Sequence, residues 1–256
     1  MEPSIQTLLE TAVQLLIVTI GGFIHGILGF GFPMIPTPLL ALVTDVRTAV
    51  LHLLLPSIVI YVVSIARGGR WSSSIGRHWP LAVFGIIGAV VGTRLLVQTD
   101  PAPYKLLMAA TLLLYLNIHR IGLRMDWVRR RPWLAFAVFG FAGGFLAGTV
   151  NAQVPPLAIY ALEIGLNPTV IVQLFNFCFL TGKIAQVTTF AAGGLFTRSV
   201  VLSSLPWCLA ALLAVVIGQG VRDRVSESVY RGWVRKALLV IAIMLVAQYG
   251  LSHWLA

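Results

Sequence analysis

A lysine in the middle of an apolar stretch is the residue of this chain best suited to binding chemistry. Lys183 lies near the centre of residues 169–191, where a charge costs about 2.5–3.5 kcal/mol in a bilayer. At about 100° per residue, Gln173, Asn176 and Lys183 fall within about 80° of one another on a helix. Gln186 lies at the margin of this polar stripe. The stripe could attract and bind an anion, although a lysine that snorkels to the interface would explain the same charge.

Two breaks interrupt other apolar stretches and add candidate donors. The first break contains Gly29 and Gly31 ahead of a proline, and the second contains Asn151 and Gln153 ahead of two prolines. Proline ends a helix and suits the first turn of the next one. A helix that begins at membrane depth points N–H groups and a positive dipole end at its surroundings, which favours an anion. The predicted substrate-binding residues are Gly29, Gly31, Asn151, Gln153, Gln173, Asn176 and Lys183.

Two histidines could carry a proton, because histidine titrates near neutral pH. His25 lies one turn before the first break and His52 begins the apolar stretch 48–66. A capped or interfacial histidine is the alternative at both positions. The sequence contains no Gly-x-Ser-x-Gly, His-Glu-x-x-His or Walker motif, so we predict no catalytic residue, no metal site and no cofactor. Cys178 and Cys208 are expected to be buried free thiols.

The composition assigns these residues to a membrane protein. The mean hydropathy is +0.92, with 58% hydrophobic and 10% charged residues, whereas a soluble domain carries about 25% charged residues. We predict an all-α integral membrane protein with about eight long transmembrane helices and two short half-helices after the breaks. The long stretches lie near 8–28, 48–66, 79–98, 104–118, 133–150, 169–191, 199–221 and 234–250, and the short pieces at 33–43 and 154–165.

The chain repeats itself. The motif at 22–26, Gly-Phe-Ile-His-Gly, recurs 122 residues later at 144–148 as Gly-Phe-Leu-Ala-Gly, and further along the shift grows to 126, where Gly92 meets Gly218. The four motif glycines are spaced for close helix packing. Two apolar halves, each with a broken segment, are typical of a secondary transporter with its site between the repeats. The predicted organisation is a first membrane repeat at 1–118, a basic cytoplasmic linker at 119–132 and a second membrane repeat at 133–256.

The basic residues predict that the two halves are inverted. If each short piece reverses the crossing begun before it, the loops at 67–78, 119–132 and 222–236 share one side, with thirteen basic residues against four. This is the asymmetry that the positive-inside rule requires, and both termini would lie outside. Parallel halves would give nine against eight. The basic linker would contact anionic lipid, and no basic patch indicates a nucleic-acid partner.

These features resemble the TauE/SafE family of membrane anion exporters over about residues 10–250. The resemblance lies in Gly-Phe-Ile-His-Gly-Ile-Leu-Gly-Phe-Gly at 22–31, in Pro-Pro-Leu-Ala-Ile-Tyr at 155–160, in Gly218 followed by Arg222, and in the stretch 224–245. It implies a duplicated membrane core, with Gly29 and Gly31 in the first glycine-rich motif. The second break has Asn-Ala-Gln at 151–153 where glycines are usual in the family, which implies a site lined more by side chains.

The resemblance implies a secondary transporter of a small anion in a bacterial inner membrane. The substrate would be sulfur-containing (sulfite, thiosulfate or a sulfonate) or an organic acid. The two repeats add the prediction of alternating access at their interface, and the histidines add that of proton coupling. A membrane-embedded enzyme or cofactor-binding protein is the alternative interpretation, and a passive channel is a third possible function. The sequence leaves open the direction of transport and whether copies of the chain form a homo-oligomer.

Overall fold

The described part of the chain is helical and contains no strand. The computed structural model describes residues 5–67, 75–118, 125–222 and 227–254. Within these ranges there are twelve α-helices and a 3₁₀ turn at Phe32–Met34. The helices are α1 (Ile5–Leu28), α2 (Pro36–Val43), α3 (Val46–His52), α4 (Leu54–Ala66), α5 (Trp79–Gln98), α6 (Tyr104–Asn117), α7 (Asp126–Arg130), α8 (Pro132–Val150), α9 (Val154–Ile164), α10 (Pro168–Ala192), α11 (Arg198–Val221) and α12 (Glu227–Trp254).

Five described helices are long and apolar enough to cross a membrane: α1 from Leu9 onwards, α5, α8, α10 and α11. A sixth span results if α3 and α4, which are bent by 44° at their junction, count as one. The predicted stretch 104–118 forms the shorter helix α6, and the stretch 234–250 lies inside α12. Eight long spans therefore remain a prediction, while the all-helical membrane class is confirmed.

Both predicted breaks are confirmed, and each contains residues with a left-handed backbone conformation. Gly29 and Gly31 have φ angles of 84° and 87°, and Asn151 has a φ of 57°. These are left-handed conformations, which glycine adopts freely and asparagine tolerates better than most residues. Short helices follow at once: the 3₁₀ turn and α2 after the first break, and α9 after the second. Prolines in the first turns of α2 and α9 explain why new helices begin there.

The motif glycines lie where helices from different halves cross. On the α1–α11 crossing, a Cβ atom at Gly22 would lie 2.8 Å from the carbonyl oxygen of Ala211. On the α8–α5 crossing, a Cβ atom at Gly144 would come still closer to the carbonyl oxygen of Gly85. Real Cβ atoms are essentially never found at such distances from backbone. The predicted role of these glycines in close helix packing is therefore confirmed.

The two crossings correspond residue by residue. Gly144 lies 122 residues after Gly22, and Ala211 lies 126 residues after Gly85. The same relation joins two further contacts: Gly26 packs against the backbone of Val215, and Gly148 against that of Ala89. The broken helix of each half thus packs on a helix of the other half. The ranges 1–118 and 133–256 are interlocked by these two crossings.

Part of the basic linker is described and docks onto the second half. Residues 119–124 lie outside the described residues, as do Arg70, Arg224 and other basic residues used in the charge count. The backbone N–H of Met125 donates to the Glu163 carboxylate at 3.0 Å, and Arg129 Nε donates to the Glu163 carbonyl oxygen at 2.8 Å. These bonds hold the start of α7 at the C-terminal end of α9.

Candidate functional site

A small cavity lies where both breaks meet α4, α8 and α10. Its volume is about 10 Å³, which is roughly the space that one water molecule needs. Most of its wall is apolar; its polar side chains are Tyr61 from the first half and Asn151, Gln153 and Lys183 from the second. The lining residues are Gly31, Pro33, Met34, Tyr61, Ala147, Asn151, Gln153, Val154, Phe179 and Lys183.

Lys183 brings an uncompensated charge to this cavity. The side chain is 3% exposed and its Nζ donates to Asn151 Oδ1 and, at 2.6 Å, to Gln186 Oε1. Both acceptors are neutral amide oxygens, and no carboxylate in the described ranges pairs with the lysine. An ammonium group has three N–H donors, so one donor remains after these two bonds. A buried charge without a counter-charge is costly, and an anion would remove that cost.

The two amides that hold Lys183 are themselves fixed by further bonds. Asn151 Nδ2 donates to Thr37 Oγ1 at 3.1 Å. Gln186 Nε2 donates to the carbonyl oxygen of Ala147 at 2.9 Å. Each bond uses the amide nitrogen and turns the amide oxygen towards the lysine. The ammonium group is therefore held between the second break and α10 by oriented acceptors.

Two pairs of residues that line the cavity are separated in sequence by the repeat shift of 122. Lys183 lies 122 residues after Tyr61, and Gln153 lies 122 residues after Gly31; all four residues line the cavity. The chemistry of each pair differs between the halves. The first half contributes a glycine and a tyrosine, whereas the second contributes an amide and a cation.

Comparison with known proteins identifies the family. The family model described as Sulfite exporter TauE/SafE matches residues 14–248 of the 256-residue chain. The chain belongs to the TauE/SafE family. The resemblance drawn from the glycine and proline motifs is thus confirmed, and with the apolar helices it makes this chain an integral membrane protein of an anion-exporter family. No curated protein and no solved structure matches it.

In this TauE/SafE chain the predicted polar residues of α10 that do not line the cavity donate to backbone carbonyl groups of the first half, one in the first break and one in α4. Asn176 Nδ2 donates to the carbonyl oxygen of Gly29 at 2.7 Å, and Gln173 Nε2 donates to the carbonyl oxygen of Ile65 at 3.3 Å. The side-chain oxygens of Asn176 and Gln173 are buried and have no hydrogen-bond partner among the described residues. The polar stripe is therefore divided: one end bonds to the backbone of α4 and of the first break, and the other end faces the cavity.

His25 also supports the first break. Its Nδ1 accepts a hydrogen bond from the backbone N–H of Phe32 at 3.2 Å, so this nitrogen carries no proton. Its Nε2 lies 2.9 Å from Ser64 Oγ and, in this tautomer, donates to it. The ring centroid of His25 lies 5.9 Å from that of Tyr61, which lines the cavity. A role for His25 in proton coupling remains a prediction.

His52 is not brought to the cavity. It ends α3, is half-buried and packs its ring 5.5 Å from that of Trp207, measured between centroids. Its role in proton coupling also stays a prediction. The structure thus brings four of the predicted substrate-binding residues together at the cavity: Gly31, Asn151, Gln153 and Lys183. The other three, Gly29, Gln173 and Asn176, do not line it.

Two polar residues at the site were not predicted from the sequence, Tyr61 and Thr37. Tyr61 could have been found, because subtracting the repeat shift of 122 from Lys183 leads directly to it. Thr37, which orients Asn151, has no such signal: a threonine in a short apolar helix usually bonds to its own backbone. Only the fold brings Thr37 and Asn151 together across 114 residues of sequence.

Proposed function

We propose that this TauE/SafE protein is a secondary transporter that carries a small anion across the membrane through the cavity beside Lys183. The observation that carries the proposal is the buried ammonium group with oriented amide acceptors, one free donor and no described carboxylate partner. An intramembrane charge of this kind marks a substrate or ion pathway. We take the membrane to be a bacterial inner membrane, and the substrate to be a sulfur-containing anion or an organic acid.

The small size of the cavity supports transport by alternating access. An oxyanion of sulfur is larger than one water molecule, so it can occupy the site only if the cavity widens. Met34, Val154 and Phe179 form an apolar part of the cavity wall. Such side chains do not bind water and would not keep a water-filled channel open. Movement of one half against the other would widen the cavity alternately towards each side of the membrane. The sequence has no phosphate-binding loop, so an ion gradient or the anion's own gradient would supply the energy.

Uptake into proteoliposomes tests this function. Radiolabelled sulfite, thiosulfate, methanesulfonate and acetate would be offered with and without a pH gradient. We expect saturable uptake of at least one sulfur-containing anion, with a rate that changes with the gradient. Conductance without saturation would favour a channel. No uptake of any anion, in vesicles whose content of inserted protein has been verified, would contradict the proposal.

We also propose that the two halves are inverted repeats with both termini outside. The residue-by-residue correspondence of the two glycine crossings, the recurrence of the left-handed residue at 29 and 151 and the asymmetry of basic residues support it. Inversion puts Arg130 and Arg222 on the same side of the membrane, whereas parallel halves put them on opposite sides.

Single-cysteine labelling distinguishes the two topologies. Arg130→Cys and Arg222→Cys would be made separately in a chain whose two native cysteines are replaced by alanine. We expect a membrane-impermeant maleimide to leave both positions unlabelled in intact cells and to label both after permeabilisation, because both residues are exposed and inside. Labelling of only one of them in intact cells would contradict the inverted arrangement.

A further inference from the structure

We infer that the transported species is a monovalent anion, and that dianions are discriminated against by charge. This inference rests on the proposed function and names the substrate class of the same site. Lys183 is the one cationic side chain among the described residues that line the cavity. The site therefore offers a single positive charge to whatever enters it.

The partners of Lys183 leave that charge at one. Asn151 and Gln186 accept its hydrogen bonds through neutral oxygens, so no protein carboxylate consumes the charge. At the equivalent position of the first half stands Tyr61, which is fully buried, 1% exposed, and uncharged. A cavity with lysine at both positions would carry two positive charges, whereas the cavity of this protein carries one.

Charge balance then selects the substrate. A monoanion beside Lys183 makes a neutral pair, whereas a dianion leaves one negative charge in a buried site. An unpaired buried charge is strongly unfavourable. The remaining wall supplies no second positive charge, because Pro33, Val154 and Phe179 have no side-chain donor and the Tyr61 hydroxyl is uncharged. Gln153 already donates through Nε2 to the carbonyl oxygen of Cys178 at 3.3 Å. A compact monoanion with an apolar part, such as a small sulfonate, fits both the charge and the wall.

The test compares two tetrahedral sulfur oxyanions whose charges do not change near neutral pH. Methanesulfonate carries one negative charge and sulfate carries two. In proteoliposomes we expect methanesulfonate to be taken up with a KM at least tenfold lower than that of sulfate. Equal or better uptake of sulfate would overturn the inference and leave the proposed anion transport standing. No uptake of either anion, nor of sulfite, thiosulfate or acetate, would overturn both.

A variant with an added positive charge provides a second test of this preference. Tyr61→Lys would add a cation at the position equivalent to Lys183, so we expect the ratio of sulfate to methanesulfonate uptake to rise at least tenfold. Tyr104→Lys makes the same substitution at the start of α6, outside the cavity, and we expect it to leave the ratio unchanged. An unchanged ratio in folded Tyr61→Lys protein would overturn the inference. Should that variant fail to fold, the comparison of the two anions on the wild-type protein decides.

Discussion

Replacing Lys183 by glutamine is expected to reduce anion transport at least thirtyfold and to leave the folded protein at least as stable as the wild type. Removing one partner of a buried, hydrogen-bonded charge pair costs about 2–5 kcal/mol, and each 1.4 kcal/mol is about tenfold. The stability of the empty protein should not fall, because glutamine can still donate to Asn151 or Gln186 and the cost of burying a charge disappears. Initial uptake rates in proteoliposomes and thermal unfolding in detergent measure the two effects.

Lys236→Gln is the matched control for this experiment. Lys236 lies on α12, is exposed and does not line the cavity, so its replacement should change neither transport nor stability. If Lys183→Gln protein transports its anion with unchanged kinetics, the buried ammonium group does not bind the substrate. If it instead unfolds at a much lower temperature than the wild type, the lysine holds the structure together and its position at the cavity has another explanation.

Replacing Gly148 by leucine is expected to push the α8–α5 crossing apart and to lower the stability of the folded protein. A Cβ atom at Gly148 would lie 2.6 Å from the carbonyl oxygen of Ala89 and 2.7 Å from the backbone nitrogen of Thr93. The backbone atoms of α5 cannot rotate out of the way as a flexible side chain can. A leucine side chain therefore forces α8 and α5 apart. Overpacking of this kind costs about 1–3 kcal/mol and occasionally more. The yield of monodisperse protein in detergent and its thermal unfolding temperature measure the loss.

Gly250→Leu is the control for the crossing. Gly250 lies on α12 and has no heavy atom within 4 Å of a Cβ added there, so leucine at this position should be tolerated. Gly26→Leu changes the equivalent residue of the α1–α11 crossing and should cost as much as Gly148→Leu, since Gly26 meets the backbone of Val215 in the same way. Normal yield and stability of Gly148→Leu would show that the two helices do not pack through their backbones.

Local chemistry explains which features the sequence could predict. The two breaks were predictable because a proline ends a helix whatever surrounds it, and the helices before them end at the predicted residues, Leu28 and Val150. The burial of Lys183 among polar partners was predictable from energy alone, since a lone charge in an apolar stretch must find partners. The helix period also placed Gln173 and Asn176 correctly on the buried face of α10.

The residues that pack against a given face of a helix could not be predicted from the sequence. The same period that grouped Gln173, Asn176 and Lys183 does not say which part of the protein each side chain contacts: α4, the first break and the second break, respectively. That division follows from how α10 packs between the two halves, which depends on contacts more than 100 residues apart in sequence. The 44° bend between α3 and α4 lies just before Pro56, which cannot donate a backbone hydrogen bond to the carbonyl of His52 and whose ring clashes with that carbonyl. The sequence therefore contained a signal for the bend, although residues 48–66 were interpreted as one straight stretch.

The glycine crossings have a consequence for how the chain is made. Gly26 on α1 meets Gly218 on α11, which is synthesised about 190 residues later. At ribosomal speeds of about 5–20 residues per second, α1 waits roughly 10–40 s for its packing partner. During that time its glycine face is open to lipid or to a membrane chaperone. A chain truncated before α11 would leave α1 without this partner, so quality control of nascent chains should recognise the unpaired first helix.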